Sequence, residues 1–302
     1  MFNTPILLVI FNRPDSTKKL FNVIKTIKPK KLYIAADGPR AHKLMEYELC
    51  FTAREVFKSV DWDCDVHTRF SDENLGCKKN VSGGITWFLG EVGEGIILED
   101  DCIPDVSFFP FCEKLLEKYR NTPQIKMISG NNFQFGNSRT DASYYFSKFP
   151  SIWGWATWER AWKDFDIDMK PYPQFKKDKK IQEIFDNKKI QSFLMRLFDN
   201  LYHNKMNTWA GRWLFAILNS DGISITPNVN LVTNIGFTVE ATHTKSNSVM
   251  GNIPTENIKE IVHPSLIKVN KKADEHTFKN IFYQPLHTRV KNKLKKYITI
   301  WK

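Results

Sequence analysis

Three consecutive carboxylates, Glu99, Asp100 and Asp101, follow directly on the apolar run Ile96-Ile97-Leu98. Two of those apolar residues are β-branched, and such a run reads as a short strand buried on both faces. Like charges on adjacent residues repel, and at the end of a buried strand they are costly unless a cation or a set of donors meets them. A divalent metal resolves that conflict. Oxygen ligands of this kind suit Mg²⁺ or Mn²⁺, ions that keep several waters and also bind substrate phosphates. The competing reading is an acidic turn after a strand, closed by Pro104.

The elements that would position the triplet recur in a regular order. Pro5 to Phe11 reads as an apolar strand, and Asn12-Arg13-Pro14-Asp15-Ser16 turns it into a helix with Asp15 or Ser16 as N-cap. Leu20, Val23, Ile24 and Ile27 mark that helix's buried stripe. Lys31 to Ala36 reads as a second strand ending in Asp37-Gly38-Pro39-Arg40. A helix over 43–57 leads to a third strand, Asp63 to Arg69, and to Asp72-Glu73-Asn74-Leu75-Gly76. A further helix over 79–89 leads to the strand before the triplet. This alternation predicts an α/β fold with a mainly parallel sheet and right-handed crossovers. In such sheets ligands bind beyond the carboxyl ends of the strands. Arg13, Asp37, Asn74 and the triplet all fall there. Each cluster alone is ordinary turn chemistry; four on one edge predict a nucleotide-type ligand.

Composition agrees with a large folded domain. The chain has 302 residues, 42% of them hydrophobic and 14% aromatic, enough for a sizeable core and too many for a disordered protein. A net charge of +11 points to an anionic partner: a nucleotide, phospholipid headgroups or nucleic acid. Five cysteines without a CxxC pair argue for reduced thiols in a cytoplasmic protein and against a zinc site or disulfide scaffold. The first residues show no basic segment before an apolar run, and no stretch of about 18 apolar residues is available to span a bilayer.

The order Phe11-Asn12-Arg13-Pro14, Ala36-Asp37-Gly38-Pro39, Asn74-Leu75-Gly76, then Leu98-Glu99-Asp100-Asp101 with Phe108-Phe109, resembles glycosyltransferases of the GT-A fold. The likeness is to N-acetylglucosaminyltransferase I and to bacterial haemolytic-protein-like nucleotide-diphospho-sugar transferases. It continues through Phe149 to Trp155, Trp209 to Trp213, Asn234 to Phe237 and Ala241 to Thr244. The resemblance implies a Rossmann-like GT-A fold. Residues 1–120 would form a nucleotide-sugar-binding half, 121–287 an α+β acceptor and catalytic half of the same domain, and 288–302 a basic amphipathic tail.

The same resemblance implies roles for individual residues. Asp101 would be the metal ligand of a DxD-type motif for Mn²⁺ or Mg²⁺, and Glu99 and Asp100 would contact donor sugar and ribose hydroxyls. Asp37 would read uracil, Arg13 would lie near the donor diphosphate, and Phe11, Asn74 and Trp209 would complete the donor site. A metal bridging the phosphates and a guanidinium beside them would both neutralise charge on the leaving nucleoside diphosphate. His243 would belong to a loop closing near the diphosphate and metal.

The second half is expected to build the acceptor side. Phe108 to Tyr119 reads as a helix with one apolar face, and Met127 to Ser129 as a strand. In the aromatic run Trp153 to Trp158, Trp153 and Trp155 are the candidates for packing against an acceptor sugar, although rings of this kind also fill cores. Residues 163–205 read as basic and helical. An inverting transferase needs a base to take the acceptor hydroxyl's proton. In the resembled enzymes an Asp follows a Trp where this chain has Trp209-Ala210, and a methyl group accepts no proton. A different base, among Glu240, Asp221 and His243, an inactivating substitution, or a chain that binds donor without turnover would each account for Ala210.

At the C-terminus Val290, Leu294, Tyr297, Ile298 and Trp301 fall on one helical face among lysines, the pattern of an interfacial membrane anchor or of a docked helix. The expectation is a cytoplasmic glycosyltransferase, peripheral on the inner face of the plasma membrane. It would transfer a sugar from a nucleotide diphosphate sugar, with uridine as the expected nucleoside, to a glycan or lipid-linked glycan acceptor. Donor-binding pseudoenzyme and membrane-binding interaction protein are the alternatives. No nucleic-acid-binding fold accompanies the charge, so nucleic acid is not an expected partner.

Overall fold

The structure, a computed structural model, describes residues 1–237 and 250–283. Its strands in chain order are β1 (Ile6–Ile10), β2 (Lys31–Ala36), β3 (Asp65–Phe70), β4 (Glu94–Glu99), β5 (Cys102–Pro104), β6 (Ile125–Ser129), β7 (Tyr144–Ser147), β8 (Trp155–Trp158), β9 (Ile223–Pro227) and β10 (Val232–Asn234). The main sheet has the order β3-β2-β1-β4-β8-β6-β9-β7. Strands β3, β2, β1 and β4 are parallel neighbours, as are β6 and β9. Only β8, between β4 and β6, and β7, at the edge, run against the rest. This mainly parallel α/β sheet, flanked by helices, is consistent with the expected Rossmann-like GT-A fold.

The central strands are apolar throughout because both sheet faces are covered. All of β1 is buried, as is β2 after the exposed Lys31. Tyr33 lies against Trp87 and Phe88 of helix α3 (Gly76–Val92), with centroids 5.2 and 5.1 Å away, and a Cβ at Gly84 of that helix would collide with Ala35. Alternation along β2 therefore turns Leu32 and Ile34 to the other face. There α1 (Pro14–Ile27) packs on α2 (Met45–Glu55).

Two local expectations are corrected. Helix α1 is entered through Arg13, with Pro14 in the first turn and no side-chain cap; Asp15 and Ser16 lie inside the helix. Proline's fixed φ and missing N–H suit that first position. Pro104 does not close an acidic turn: it ends β5, which pairs antiparallel with β10 (Cys102 opposite Asn234, Pro104 opposite Val232).

Helix α4 (Phe108–Tyr119) carries the predicted apolar face, with Phe108, Phe109, Phe111, Leu115 and Leu116 in the core. That core runs without a break from Ile6 to Val232, across both sequence halves. A second cluster joins α6 (Tyr172–Lys177), α7 (Ile181–Ile184), α8 (Lys188–Tyr202) and α9 (Ala210–Asn219) through Phe175, Ile181, Leu194, Phe198 and Phe215. A short α5 (Glu159–Trp162) precedes them, and α10 (Lys271–Thr277) runs on into a π-helical turn, Phe278–Phe282. No helix of the described residues is long and apolar enough to cross a membrane. The expected tail helix, 288–302, lies outside the described residues.

Candidate functional site

The acidic triplet leaves the carboxyl end of β4 beside the carboxyl end of β1, with Glu99 paired to Val9. The cation that meets it is Arg13. Its Nη1 stands 3.0 Å from Asp100 Oδ1 and 2.6 Å from Asp101 Oδ2. The Phe11 N–H donates to the other Asp100 oxygen at 3.1 Å. Burial alone would lower the Arg13 pKa, but Asp100, Asp101 and Glu99 together raise it, so the guanidinium stays charged. One guanidinium cannot balance three carboxylates. Burial and then the charges of Asp101 and Asp100 push Glu99 up to about 8; burial pushes Asp100 up to about 6 against the pull of Arg13.

Asp101 is clamped from a second side by β10 and the turn after it. Asn234 Nδ2 donates to Asp101 Oδ1 at 3.1 Å, and the Ile235 N–H donates to the Asp101 carbonyl at 2.9 Å. The Gly236 N–H returns to Asn234 Oδ1 at 2.8 Å, and a Cβ at Gly236 would collide with the Asp101 carboxylate. Phe237 then packs edge-on to Trp153, 5.3 Å between centroids, and Trp153 meets Phe133 at 5.1 Å. Trp153 is half-buried, so one aromatic corner stands beside the carboxylates.

Asp37, at the end of β2, caps helix α3 from outside. Its Oδ1 accepts the Leu75 and Gly38 N–H groups at 2.7 and 3.0 Å, and its Oδ2 accepts the Gly76 N–H at 3.0 Å and Asn74 Nδ2 at 3.1 Å. A carboxylate at a helix N-terminus is favourable. Burial nevertheless raises its pKa, only partly offset by those N–H donors. Its acceptor positions are thus filled, and the expected uracil contact would require one of these bonds to break. The second Asn74 amide hydrogen goes to the Gly38 carbonyl at 2.8 Å.

Between these walls lies a cavity of about 300 Å³, within the range of small-molecule sites. Phe11, Arg13, Asp37, Asn74, Glu99 and Asp100 line it, so six of the expected residues converge. Arg40, Cys77, Asn80 and Asn207 also line it and were not singled out from sequence. Arg40 is fixed by Glu46, with Nε at 2.9 and 2.8 Å from the two carboxylate oxygens, and its guanidinium carbon lies 5.6 Å from the Phe11 ring centroid. The signal for Asn80 was a polar residue on the inward stripe Val81-Gly84-Ile85-Phe88, hidden because the helix was expected to begin at 79. Arg40 and Asn207 carried none.

Other expected site residues are elsewhere. Trp155 and Trp209 are each 1% exposed, and their rings stack on one another at 5.7 Å. They belong to the core, where Trp162 and Trp213 join them, and not to a cleft wall. Asp221 stands just before β9, at the sheet edge opposite the triplet, because β9 runs in the same direction as β4. That position rules it out as the base. Ala210 opens α9, directly after the loop that supplies Asn207 to the cavity. Glu240 and His243 lie outside the described residues.

Among the described residues no group of three His, Cys, Asp or Glu side chains forms a ready-made metal cage. The donor set still fits a divalent ion. Glu99, Asp100 and Asp101 carry more negative charge than Arg13 offsets, and oxygen ligands are what Mg²⁺ and Mn²⁺ take.

No family model and no curated protein matches the chain. Among solved structures it is similar to HddC from Yersinia pseudotuberculosis, at 10% identity over 57% of this chain and 86% of that one, with a TM-score of 0.35. It is similar to mouse xyloside xylosyltransferase 1 at 12% identity, over 72% and 81%, with a TM-score of 0.35. A UDP-glucose pyrophosphorylase solved with UDP-glucose matches at 9% identity, over 74% and 90%, with a TM-score of 0.34.

Proposed function

We propose that this protein is a metal-dependent glycosyltransferase that takes a sugar from a nucleotide diphosphate sugar, with uridine as the nucleoside. The observation that carries the reading is the convergence of Arg13, Glu99 and Asp100 at one cavity on the carboxyl edge of the sheet, with Asp101 held on the same guanidinium. A guanidinium fixed there is placed to meet a diphosphate, and the Phe11 ring under Arg40 offers a face for a base.

Transfer breaks the bond between the anomeric carbon and the diphosphate oxygen while an acceptor hydroxyl oxygen bonds to that carbon. Arg13 would stabilise the charge that develops on the departing diphosphate. Asp101 would hold the divalent ion, which when bound supplies further charge stabilisation to the phosphates, and Glu99 and Asp100 would contact the donor's sugar and ribose hydroxyls. The half-buried Trp153, packed on Phe237, would form the wall on the acceptor side. The acceptor's proton needs a base, and Glu240 and His243 are the candidates left. The acceptor would be a glycan of the bacterial surface or a lipid-linked glycan, reached from the inner face of the membrane through the basic segment 288–302.

Ala210 favours a second reading, a chain that binds donor without turnover. A panel of nucleotide sugars incubated with the protein and Mn²⁺ separates the two. Release of nucleoside diphosphate supports the transferase. Bound nucleotide with no release, also after Ala210→Asp, supports the donor-binding pseudoenzyme.

A further inference from the structure

We propose that Asn80 reads the hydrogen-bonding edge of the donor's nucleobase, a reading that rests on the nucleotide-sugar function above. Asn80 is 2% exposed, lines the cavity, and its Oδ1 is buried without a hydrogen-bond partner. No described residue pairs with its amide. Buried side-chain amides are ordinarily satisfied, and one left unpartnered in the wall of a cavity is costly unless a ligand completes it.

The residue expected to read the base cannot do so in this structure. Both Asp37 oxygens are filled by three backbone N–H groups and the Asn74 amide, all belonging to the turn that starts α3 or to Gly38. Those bonds fix the start of the helix. Asn80 lies four residues after Gly76, on the same helix face, so Asp37 positions Asn80 instead of competing with it. A carboxamide carries an acceptor beside a donor. It therefore complements an edge on which an N–H stands beside a carbonyl, as N3–H does in uracil. Phe11, with Arg40 held over it by Glu46, supplies the face on which that ring would rest. A ribose hydroxyl is the other donor a nucleotide could offer to Oδ1.

Calorimetric titration of UDP, N3-methyl-UDP and 2′-deoxy-UDP into the full chain, with Mn²⁺, tests this. For the unaltered protein, blocking N3 should lower affinity by roughly 10- to 100-fold and removing the 2′-hydroxyl by much less. Asn80→Leu should lose UDP affinity by a similar factor and no longer distinguish UDP from N3-methyl-UDP. Its melting temperature without nucleotide should be unchanged or raised, because the unpartnered amide is gone; a purely structural amide would lower it. An unchanged preference for UDP over N3-methyl-UDP in Asn80→Leu overturns the proposal, as does a loss that tracks the 2′-hydroxyl. Absence of UDP binding by the unaltered chain overturns the function reading itself, and the proposal with it.

Discussion

Arg212 is a buried cation held by carbonyls, and replacing it with Met should cost about 3–5 kcal/mol of stability. The side chain is 1% exposed. Its guanidinium donates to the carbonyls of Thr208 at 2.6 Å, Leu201 at 2.7 Å, Ile167 at 2.8 Å and Met206 at 3.4 Å, and to Asn204 Oδ1 at 3.0 Å. Burial lowers its pKa, with only Asp168 acting weakly the other way, so backbone dipoles are its main solvation. Methionine reproduces the stem and none of the donors. Each acceptor left buried loses about 1 kcal/mol net, and those on the loop can turn toward water, which brings five bonds to the stated range. Asn204, Met206 and Thr208 belong to the 203–209 connection that places Asn207 in the cavity wall, so nucleotide affinity should fall as well. Urea unfolding of Arg212→Met, with the midpoint lowered and the slope unchanged, is the check. A loss below about 1 kcal/mol would refute the claim that this cation holds the loop.

Further expectations concern pH, the clamp on Asp101 and the base. Burial pushes Asp274 up to about 7 from an ordinary 3.8, while Ser147 Oγ and the Lys148 N–H donate to it at 2.5 and 3.0 Å. Between those values the folded protein keeps a proton that the unfolded chain has released, so its contribution to stability falls as pH rises from about 4 to 7 and is flat above. Asp274→Asn should make that slope shallower, seen by urea unfolding at about pH 5 and pH 7, with the remainder left to Glu99 and Asp100, which burial raises as well; an unchanged slope would show that Asp274 does not contribute to it. Gly236→Ala drives a methyl into the Asp101 carboxylate and should weaken Mn²⁺-supported nucleotide binding about tenfold, equivalent to about 1.4 kcal/mol, in a calorimetric titration. Unchanged binding would mean that Asp101 is not needed where Asn234 and Arg13 hold it. Ala210→Asp places a carboxylate in the first turn of α9, where the helix end favours it. If residue 210 is the base position, donor turnover should rise by about 10²–10⁴; no rise directs the search to Glu240 and His243.

Strands β1, β2 and β4 were legible because each is an apolar run buried on both faces and bounded by turn residues, whereas the edge strand β3 is largely exposed and was read from its place between a helix and a turn. β2 runs from Lys31 to Ala36, as expected from sequence. The polar edge was legible for the same reason: Arg13, Asp37 and the triplet end those runs, and Asn74 follows β3. The partnerships among them were not. Asp37 caps a helix that begins 39 residues later, and that depends on β2 lying beside α3 in space. Nor does a sequence distinguish an aromatic that lines a cleft from one that fills a core. Trp153 and Trp155 are two residues apart, yet strand alternation does not separate them; Gly154, at φ +62°, ends the loop that carries Trp153 before β8 buries Trp155. The antiparallel insertion of β8 between β4 and β6 likewise has no local signature, since its register is set by the strands on either side.

The central claim is that the acidic triplet and Arg13 bind a nucleotide diphosphate sugar through a divalent ion. Calorimetric titration of UDP-sugars into the protein and into Asp101→Ala, each with and without Mn²⁺, tests it most directly. Binding that requires Mn²⁺ and is lost by about a hundredfold or more in Asp101→Ala is the expected result. Full affinity in Asp101→Ala without metal would contradict it.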